Sequence, residues 1–245
     1  MAYREFHTRT ELADLVACTW ERRVPPDGAR RVARVVPDGC VDLVWREGEL
    51  FVAGPDTGPF MSALPPGATI VGLRLRPGVA GSALGLPASE LRDAHVPLEA
   101  VWGRFAAELA ERLAGGSAAD GRGVLEDALA ARRSGMVGPD PLVQAAARRL
   151  GVPGARIRTL SRALGVSERH LRRRFHAAVG YGPKTLDRVL RFQRFLARAP
   201  ALGRGDELLA SLALELGYAD QAHLTRECVR LSGLSPTGLV AARNG

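Results

Sequence analysis

The chain has few of the residues on which catalytic and metal sites depend. Its 245 residues include three cysteines and five histidines, and only His7 and His95 lie in the first 140 residues. The cysteines, Cys18, Cys40 and Cys228, are odd in number and far apart, which favours reduced thiols over a disulfide frame. Two histidines cannot build a His-rich metal centre, and no glycine-rich phosphate loop or nucleophile elbow occurs. We therefore expect no enzyme, and no catalytic residue, metal or cofactor.

Long apolar runs are also missing. No stretch of about 18 apolar residues occurs, so no segment is predicted to span a membrane. The first twenty residues contain Glu5, Glu11 and Asp14 and no continuous apolar run, unlike a secretory signal. We therefore expect a soluble, cytoplasmic protein with no membrane partner.

Positive charge is concentrated in one half of the chain. Residues 1–140 carry 16 Lys and Arg against 19 Asp and Glu, whereas residues 141–245 carry 18 against 7. An arginine-rich composition alone would enrich both halves, and Lys184 is the single lysine among 34 basic residues. The asymmetry predicts a basic module that binds a polyanion, joined to a module with another task.

The first 87 residues are typical of a small β-rich domain. Short apolar runs at 34–36, 41–45, 50–53 and 69–75 alternate with turns rich in Pro and Gly. In the last run Val71, Leu73 and Leu75 alternate with Gly72, Arg74 and Arg76, which predicts one buried face and one face in water. A barrel or sandwich is expected.

Helical periodicity begins near Pro97. Leu98, Val101, Trp102, Phe105, Leu109 and Leu113 predict one amphipathic helix of about seventeen residues. Residues 115–123 read as a flexible break, 124–133 as a short helix and 134–141 as a linker. We therefore predict a sensor or dimerisation domain at 1–135, with strands to about residue 87 and helices over 88–133.

The last hundred residues contain one pattern twice. The first copy has Gly165-Val166-Ser167, His170-Leu171-x-Arg173 and Gly180-x-x-Pro183, and the second has Gly217-Tyr218-Ala219, His223-Leu224-x-Arg226 and Gly233-x-x-Pro236. The matching His, Leu, Arg, Gly and Pro positions of the two copies are 53 residues apart, and only the spacing of the turns differs, by one residue. Each copy predicts a helix, a glycine turn and a second helix.

The second helix of each copy has a polar outer face. In the first copy Ser167 is a predicted N-cap and Leu171 and Phe175 point inward. The opposite face carries Arg169, Arg172, Arg173 and His176. In the second copy Asp220 is the predicted cap, and Gln221, Thr225 and Arg226 face away from Leu224 and Cys228. Arginines on one helix usually form only a solvated face, but the repetition favours recognition helices in DNA major grooves.

Residues 183–199 predict a connecting helix of about 25 Å. This is shorter than one DNA turn of about 34 Å, so two recognition helices at its ends would require a bent duplex. Phosphate contacts are expected from Ser167, Lys184, Arg188 and Arg191, and the exposed Arg194 and Arg198 lie on the same helix.

These motifs resemble the DNA-binding domain of AraC/XylS-type bacterial transcription regulators. The similarity covers about 100 residues and is most specific at Gly217-Tyr218-x-Asp220, Leu224-x-Arg226 and Gly233-x-x-Pro236. It implies about seven helices in residues 141–245, with helix-turn-helix units at about 156–180 and 207–232 joined by helix 183–199. The base-facing positions it implies are Arg169, Arg172, Arg173, Gln221, Ala222, Thr225 and Arg226. Cys228 replaces an aromatic residue of the family, which predicts a looser second unit.

The N-terminal half resembles the poorly characterised regulatory half of some of these regulators. Asp38, Cys40, Asp42 and Trp45 are its candidate ligand-pocket residues, and Cys40 is a candidate sensor thiol. The alternative is a turn into a strand at Asp38-Gly39, with Cys40 as a small buried residue.

The sequence thus predicts an α+β protein with a β-rich, barrel-like or sandwich-like N-terminal domain and an all-α DNA-binding domain. The predicted function is a one-component transcription regulator that binds duplex DNA in adjacent major grooves, as a monomer or homodimer. The N-terminal half would sense a small-molecule effector, dimerise, or both. Alternatively it would bind a protein such as RNA polymerase, with no effector.

Overall fold

A computed structural model describes residues 2–27, 31–155 and 157–244. Residue 156, the predicted start of the first helix-turn-helix unit, and the terminal residues 1 and 245 of the predicted domains lie outside this part. The described strands are β1 Ala2–Phe6, β2 Val16–Arg23, β3 Arg31–Val35, β4 Val41–Arg46, β5 Glu49–Ala53, β6 Phe60–Leu64, β7 Thr69–Leu75 and β8 His95–Pro97.

The described helices begin within the N-terminal half and fill the C-terminal half. They are α1 Ala80–Leu84, α2 Leu98–Trp102, α3 Arg104–Ala114, α4 Ala118–Arg133, α5 Pro141–Leu150, α6 Ile157–Ala163, α7 Glu168–Val179, α8 Pro183–Gly203, α9 Leu209–Glu215, α10 Gln221–Ser232 and α11 Pro236–Asn244. The α+β class is confirmed.

The strands form two antiparallel sheets. Six are ordered β1-β2-β7-β4-β5-β8, and β3 pairs with β6. Among the described strands β1 and β8 are the two edges of the larger sheet and do not pair with each other, so the sheet is not a closed barrel. The strands also continue past residue 87, because β8 adds to β5 with Val52 opposite Val96.

Both faces of the larger sheet are covered. Val71, Leu73 and Leu75 of β7 lie in a core shared with α2, α3 and α4. The opposite face was predicted to lie in water, but Trp20 lies on Gly72, where a Cβ atom would be 2.3 Å from the indole. The β3–β6 sheet closes a second core on that side. The face is buried because strand alternation places Trp20 and its neighbours there.

Two helix boundaries differ from the prediction. The single helix expected from Leu98 is split at Gly103, whose φ of 58° is unfavourable for residues with a side chain. The expected break at 115–123 is largely helical, because Ser117 and Asp120 form a capping box that starts α4 at Ala118.

Seven helices fill the described part of residues 141–244, and α8 runs through their centre. Leu186 of α8 packs with Leu171 and Phe175 of α7. Phe192 and Phe195 of α8 pack with the second unit. α8 has 21 residues, Pro200 included, so its length is about 31 Å at 1.5 Å per residue.

Cys228 lies in the core of the second unit and is fully buried beside Phe192. Burial, followed by the charge of Glu227, raises the pKa of its thiol to about 12. Cys228 therefore acts as a small apolar core residue at neutral pH.

The N-terminal half contacts the end of both units. α7 packs on α1 and on a 3-10 turn at Ala88–Glu90. The loop between β5 and β6, residues 54–59, contacts two glycines that occupy equivalent positions in the repeat. A Cβ atom would lie 2.5 Å from Pro55 Cγ at Gly180 and 3.9 Å from Pro59 Cγ at Gly233. This loop is called the bridging loop below.

Hydrogen bonds across the junction fix the same arrangement. Arg34 Nη1 of β3 donates to Ser232 O at the end of α10, at 2.5 Å. Gln193 Nε2 of α8 donates to Pro37 O at 2.6 Å. The two halves are therefore joined through polar as well as apolar contacts.

Candidate nucleic-acid interface

The first unit presents α7 as a capped helix after a tight turn. Gly165 adopts a φ of 65°, and Ser167 Oγ accepts from His170 N at 3.1 Å. Leu171 and Phe175 are fully buried. The cap fixes where α7 starts, and the buried pair fixes which face it turns outward.

The predicted base-facing residues of α7 share its outer face. Arg169, Arg172 and Arg173 are exposed and His176 is half-buried. Within the described residues none of the three arginines forms an ion pair. Arg174, the next arginine along, points back instead and its Nη2 bonds to Asp140 Oδ1 at 2.6 Å. Four polar side chains thus stay available on one face.

The surroundings of His176 favour its neutral imidazole. Burial, followed by the positive charges of Arg172 and Arg92, lowers its pKa. A neutral imidazole has one donor and one acceptor, so His176 offers hydrogen bonding and not a fourth charge.

The second unit repeats this arrangement with α10. Gly217 adopts a φ of 81°, and Asp220 Oδ1 accepts from His223 N at 2.6 Å. Leu224 is fully buried. Equivalent N-caps and buried anchors therefore determine in the same way which faces of α7 and α10 point outward.

The outer face of α10 carries less charge than that of α7. Gln221, Ala222 and Arg226 are exposed, and Thr225 is half-buried. Thr225 Oγ1 donates to Gln221 O at 2.9 Å, so its hydroxyl oxygen still accepts and its methyl still contacts a partner. This face combines an amide, a methyl group and one guanidinium.

The four phosphate-contact candidates divide into two groups. Lys184 is exposed, and Ser167 lies at the start of α7. Arg188 Nε lies 2.6 Å from Glu227 Oε2, and Arg191 Nη2 lies 2.6 Å from Asp187 Oδ2. Arg188 therefore ties α8 to α10, and Arg191 also donates to Gly217 O at the second turn.

The two other arginines of α8 are engaged in the fold as well. Arg194 Nη1 donates to Gly151 O at 2.9 Å, and Arg198 pairs with Glu207 and Glu215. Spacing placed these side chains on an exposed face, but the carbonyl that binds Arg194 and the carboxylates that bind Arg198 come from other segments.

A cleft of about 1010 Å³ lies between the two units. Its walls come from α7, the start of α8, the end of α10 and two segments of the N-terminal half. Six cationic side chains line it against two carboxylates, Asp93 and Glu168. The cations are Arg92, Arg169, Arg172, Lys184, Arg188 and Arg230. Although Arg188 is paired with Glu227, this inter-unit cleft carries an excess of positive charge.

Two of these cations were missed by the sequence analysis. Arg230 follows Arg226 by four residues and so lies on the same side of α10, a spacing that could have identified it. Arg92 lies in the N-terminal half, and no local pattern connects it with the recognition helices.

Asp42 is bound within the fold by Trp20 and Arg74. Its carboxylate accepts from Trp20 Nε1 at 3.0 Å and from Arg74 Nε and Nη2, each at 3.0 Å. Asp38 Oδ2 lies 3.2 Å from Arg74 Nε. Asp38 and Asp42 therefore hold Arg74 on the face of the larger sheet that the β3–β6 sheet covers.

Cys40 lies beside these aspartates, since its backbone N donates to Asp38 Oδ1 at 2.8 Å, whereas Trp45 lies apart from them. Burial, followed by the charge of Asp38, raises the pKa of Cys40 well above its usual value, so the reactive thiolate is disfavoured. Trp45 lies on the helix-covered face of β4, opposite Asp42, because positions 42 and 45 differ in strand parity.

A second cavity, of about 810 Å³, lies behind α7. Leu86, Phe105, Met136 and Ala178 give it apolar walls, and Arg132 lines one side. The Arg132 guanidinium lies 4.6 Å from the Trp102 ring centre. This junction cavity contains none of the four predicted ligand-pocket residues.

Asp56 of the bridging loop holds a proton unusually tightly. Burial, followed by the charges of Asp93, Asp38 and Asp42, raises its pKa to about 7. An unfolded Asp titrates near pH 3.9, so between about pH 4 and 7 the folded protein binds a proton that the unfolded chain releases. This site's contribution to stability falls as pH rises through that window and is constant above it.

Asp56→Asn is therefore expected to raise the unfolding temperature at pH 8 more than at pH 5. The amide cannot ionise, so the variant does not incur the cost of a buried charge. Thermal unfolding of both proteins at several pH values measures the difference, with the exposed Asp27→Asn as a control. A stabilisation that does not change with pH would contradict the assignment.

The described residues contain no group of three His, Cys, Asp or Glu side chains placed to hold a metal ion. Nor do they contain a helix long and apolar enough to cross a membrane.

Two protein families match separate parts of the chain. Residues 4–97 match a domain of unknown function, DUF6597, and residues 160–242 match a helix-turn-helix domain. No curated protein matches the chain.

The fold is similar to crystal structures of ToxT from Vibrio cholerae. ToxT of strain O395 has 9% identity and a TM-score of 0.43 over 89% of this chain and 98% of that one. A 1.65 Å structure has 10% identity and a TM-score of 0.45 over 87% and 97%. ToxT of strain SCE256 with a bound unsaturated fatty acid has 8% identity and a TM-score of 0.39 over 91% and 93%. Similarity at this level transfers no residue or ligand to this chain.

Proposed function

We propose that this protein, a DNA-binding transcription regulator with an AraC/XylS-type helix-turn-helix domain, reads one duplex site through α7 and α10 in adjacent major grooves. Its family is one of regulators and not a class of enzymes. The observation that carries the proposal is the pair of equivalently capped helices, each with a buried anchor and an unpaired polar outer face.

The chemistry of the two faces suggests different readout. Arg169, Arg172 and Arg173 of α7 suit bidentate bonds to guanine O6 and N7, with the neutral His176 beside them. On α10, Gln221 suits adenine, and Ala222 and the Thr225 methyl suit the methyl group of thymine. Arg226 adds one guanine-binding group.

The length of α8 supports binding on one face of the duplex. At about 31 Å it approaches the 34 Å turn of DNA more closely than the 25 Å predicted from sequence. The bend that such a site requires is therefore smaller than the shorter helix implied.

Lys184 and Ser167 are the proposed phosphate contacts of the first unit. Lys184 is exposed at the start of α8, and the Ser167 hydroxyl can still donate while its oxygen caps α7. Arg188 and Arg191 are proposed to position α10 and its turn through their ion pairs.

For the N-terminal half we propose the sensing of a small apolar molecule in the junction cavity. The cavity is large enough for a ligand, and Ala177 and Ala178 of α7 form part of its wall. A bound molecule would therefore touch the first recognition helix directly. In the alternative, the N-terminal half binds RNA polymerase or another protein and leaves the cavity empty.

The proposal is tested by recovering duplexes from a random-sequence pool with the full chain. We expect one site, single or in tandem, bound more tightly at low salt than at high salt. Recovery of no preferred sequence would contradict sequence-specific readout. Thermal shift of the full chain with a metabolite panel tests sensing, since a ligand at 100 times its Kd adds about 2.7 kcal/mol of stability.

A further inference from the structure

We propose that Arg92, in the N-terminal half, binds a DNA phosphate in the inter-unit cleft and so makes this half part of the DNA-binding surface. The inference rests on the proposed function and adds a residue outside the helix-turn-helix domain.

Arg92 lies where its charge faces the recognition helices. It lines the inter-unit cleft together with Arg169 and Arg172 of α7 and Arg230 of α10. Its charge is also close enough to α7 to help lower the pKa of His176. The N-terminal side of the cleft thus contributes one cation, Arg92, next to one carboxylate, Asp93.

The guanidinium of Arg92 is free to bind an anion. Its side chain is 45% exposed, and the nearest carboxylate oxygen, Asp93 Oδ2, is 3.8 Å away. The Asp93 carboxylate is itself engaged, since it accepts from Thr57 N at 2.6 Å and from Thr57 Oγ1 at 2.9 and 3.0 Å. In residues 2–27, 31–155 and 157–244, Arg92 donates no hydrogen bond to the protein.

The position of Arg92 relative to both units is fixed by the bridging loop. Pro55 contacts Gly180 at the end of α7, and Pro59 approaches Gly233 at the end of α10. Asp93, the neighbour of Arg92, binds Thr57 of this loop. The contacts therefore hold the backbone at Arg92 beside the cleft, while its unpaired guanidinium stays free to reach a phosphate.

The geometry of DNA identifies the ligand of this cleft. Two helices in adjacent major grooves on one face of a duplex have a minor groove between them, and its phosphates border both grooves. The part of the cleft between the helices therefore faces backbone, whereas Arg169 and Arg172 on its α7 wall face the major groove. Arg92, Lys184 and Arg230 are the cations of the cleft that remain for the phosphates.

The test compares the full chain with its Arg92→Ala and Arg92→Gln variants. Affinity for the selected duplex and for an unrelated duplex is measured by fluorescence anisotropy from 0.05 to 0.4 M salt. Loss of one phosphate contact is expected to reduce the log–log salt slope by about 0.9. If the variant and the wild type bind equally at 1 M salt, the smaller slope corresponds to an affinity about eightfold lower at 0.1 M salt, for both duplexes.

Arg104→Ala is the matched control. Arg104 lies in the same half, its side chain is 92% exposed, and it does not line the cleft. The variant is expected to keep the wild-type slope although it removes the same charge. Unchanged unfolding temperatures confirm that the variants are folded.

Three results would overturn the inference. The first is a salt slope of the Arg92 variants that equals that of Arg104→Ala. The second is a loss of affinity confined to the selected duplex, which would indicate a base contact. The third is tighter binding by Arg92→Ala, which would indicate that Arg92 obstructs DNA. If the wild-type chain bound no duplex, the proposed function would fail and this inference with it. A wild-type chain that binds while the variants match it overturns the inference alone.

Discussion

Replacing Arg169 and Arg173 together by alanine is expected to weaken binding to the selected duplex by about 30-fold to 2 × 10⁴-fold. Each bidentate contact of arginine with guanine is worth about 1 to 3 kcal/mol. Both side chains are exposed on α7, and neither has an ion-pair partner among the described residues. The substitutions therefore remove DNA contacts and leave the buried anchors Leu171 and Phe175 intact. Fluorescence anisotropy measures the affinity.

The control for this loss is the double variant Arg148→Ala with Arg149→Ala. These arginines are exposed in the last turn of α5, in the same basic half, and their removal changes the net charge equally. They do not line the inter-unit cleft. A small loss in the control and a large one at α7 indicate direct contacts, whereas equal losses would show that only total charge matters.

Replacing Arg74 by alanine is expected to reduce the free energy of unfolding by about 3 kcal/mol. The Asp42 carboxylate would stay beneath Trp20 without its main cationic partner, and breaking a buried ion pair costs about 3 to 5 kcal/mol. The lower end applies because the Arg74 side chain is 22% exposed. Urea unfolding followed by tryptophan fluorescence measures the change.

A second variant separates this effect from a general loss of packing. Arg74→Met combined with Asp42→Asn and Asp38→Asn removes all three charges and keeps an amide oxygen that can accept from Trp20 Nε1. We expect the triple variant to recover most of the lost stability. If it were as unstable as Arg74→Ala, the ion pair would not be the cause.

The helix-turn-helix units could be predicted because their information is local. A glycine turn, a cap at Ser167 or Asp220 and an anchor at Leu171 or Leu224 lie within a few residues of one another in each copy. The end of α8 was predicted four residues early, because a proline inside a helix usually ends it. Pro200 instead lies in the final turn of α8, where few backbone hydrogen bonds remain to be lost.

Features that depend on distant segments could not be predicted in this way. The sequence alone predicts that the face of β7 with Gly72 and Arg74 lies in water. This face is covered by Trp20 and Asp42, which belong to the neighbouring strands β2 and β4. The sequence alone predicts that Arg188 is a free cation, because its ion-pair partner Glu227 belongs to another helix, α10. Arg92 joins the cleft only through packing between the two halves.

Hydroxyl-radical footprinting of the full chain on the selected duplex tests the two-groove account most directly. Cleavage depends on backbone exposure, so two bound units separated by one turn should protect two segments about 10 base pairs apart on one face. The account also predicts protection of the phosphates between them, where the inter-unit cleft lies. A single protected segment of one groove, or two segments on opposite faces, would contradict it.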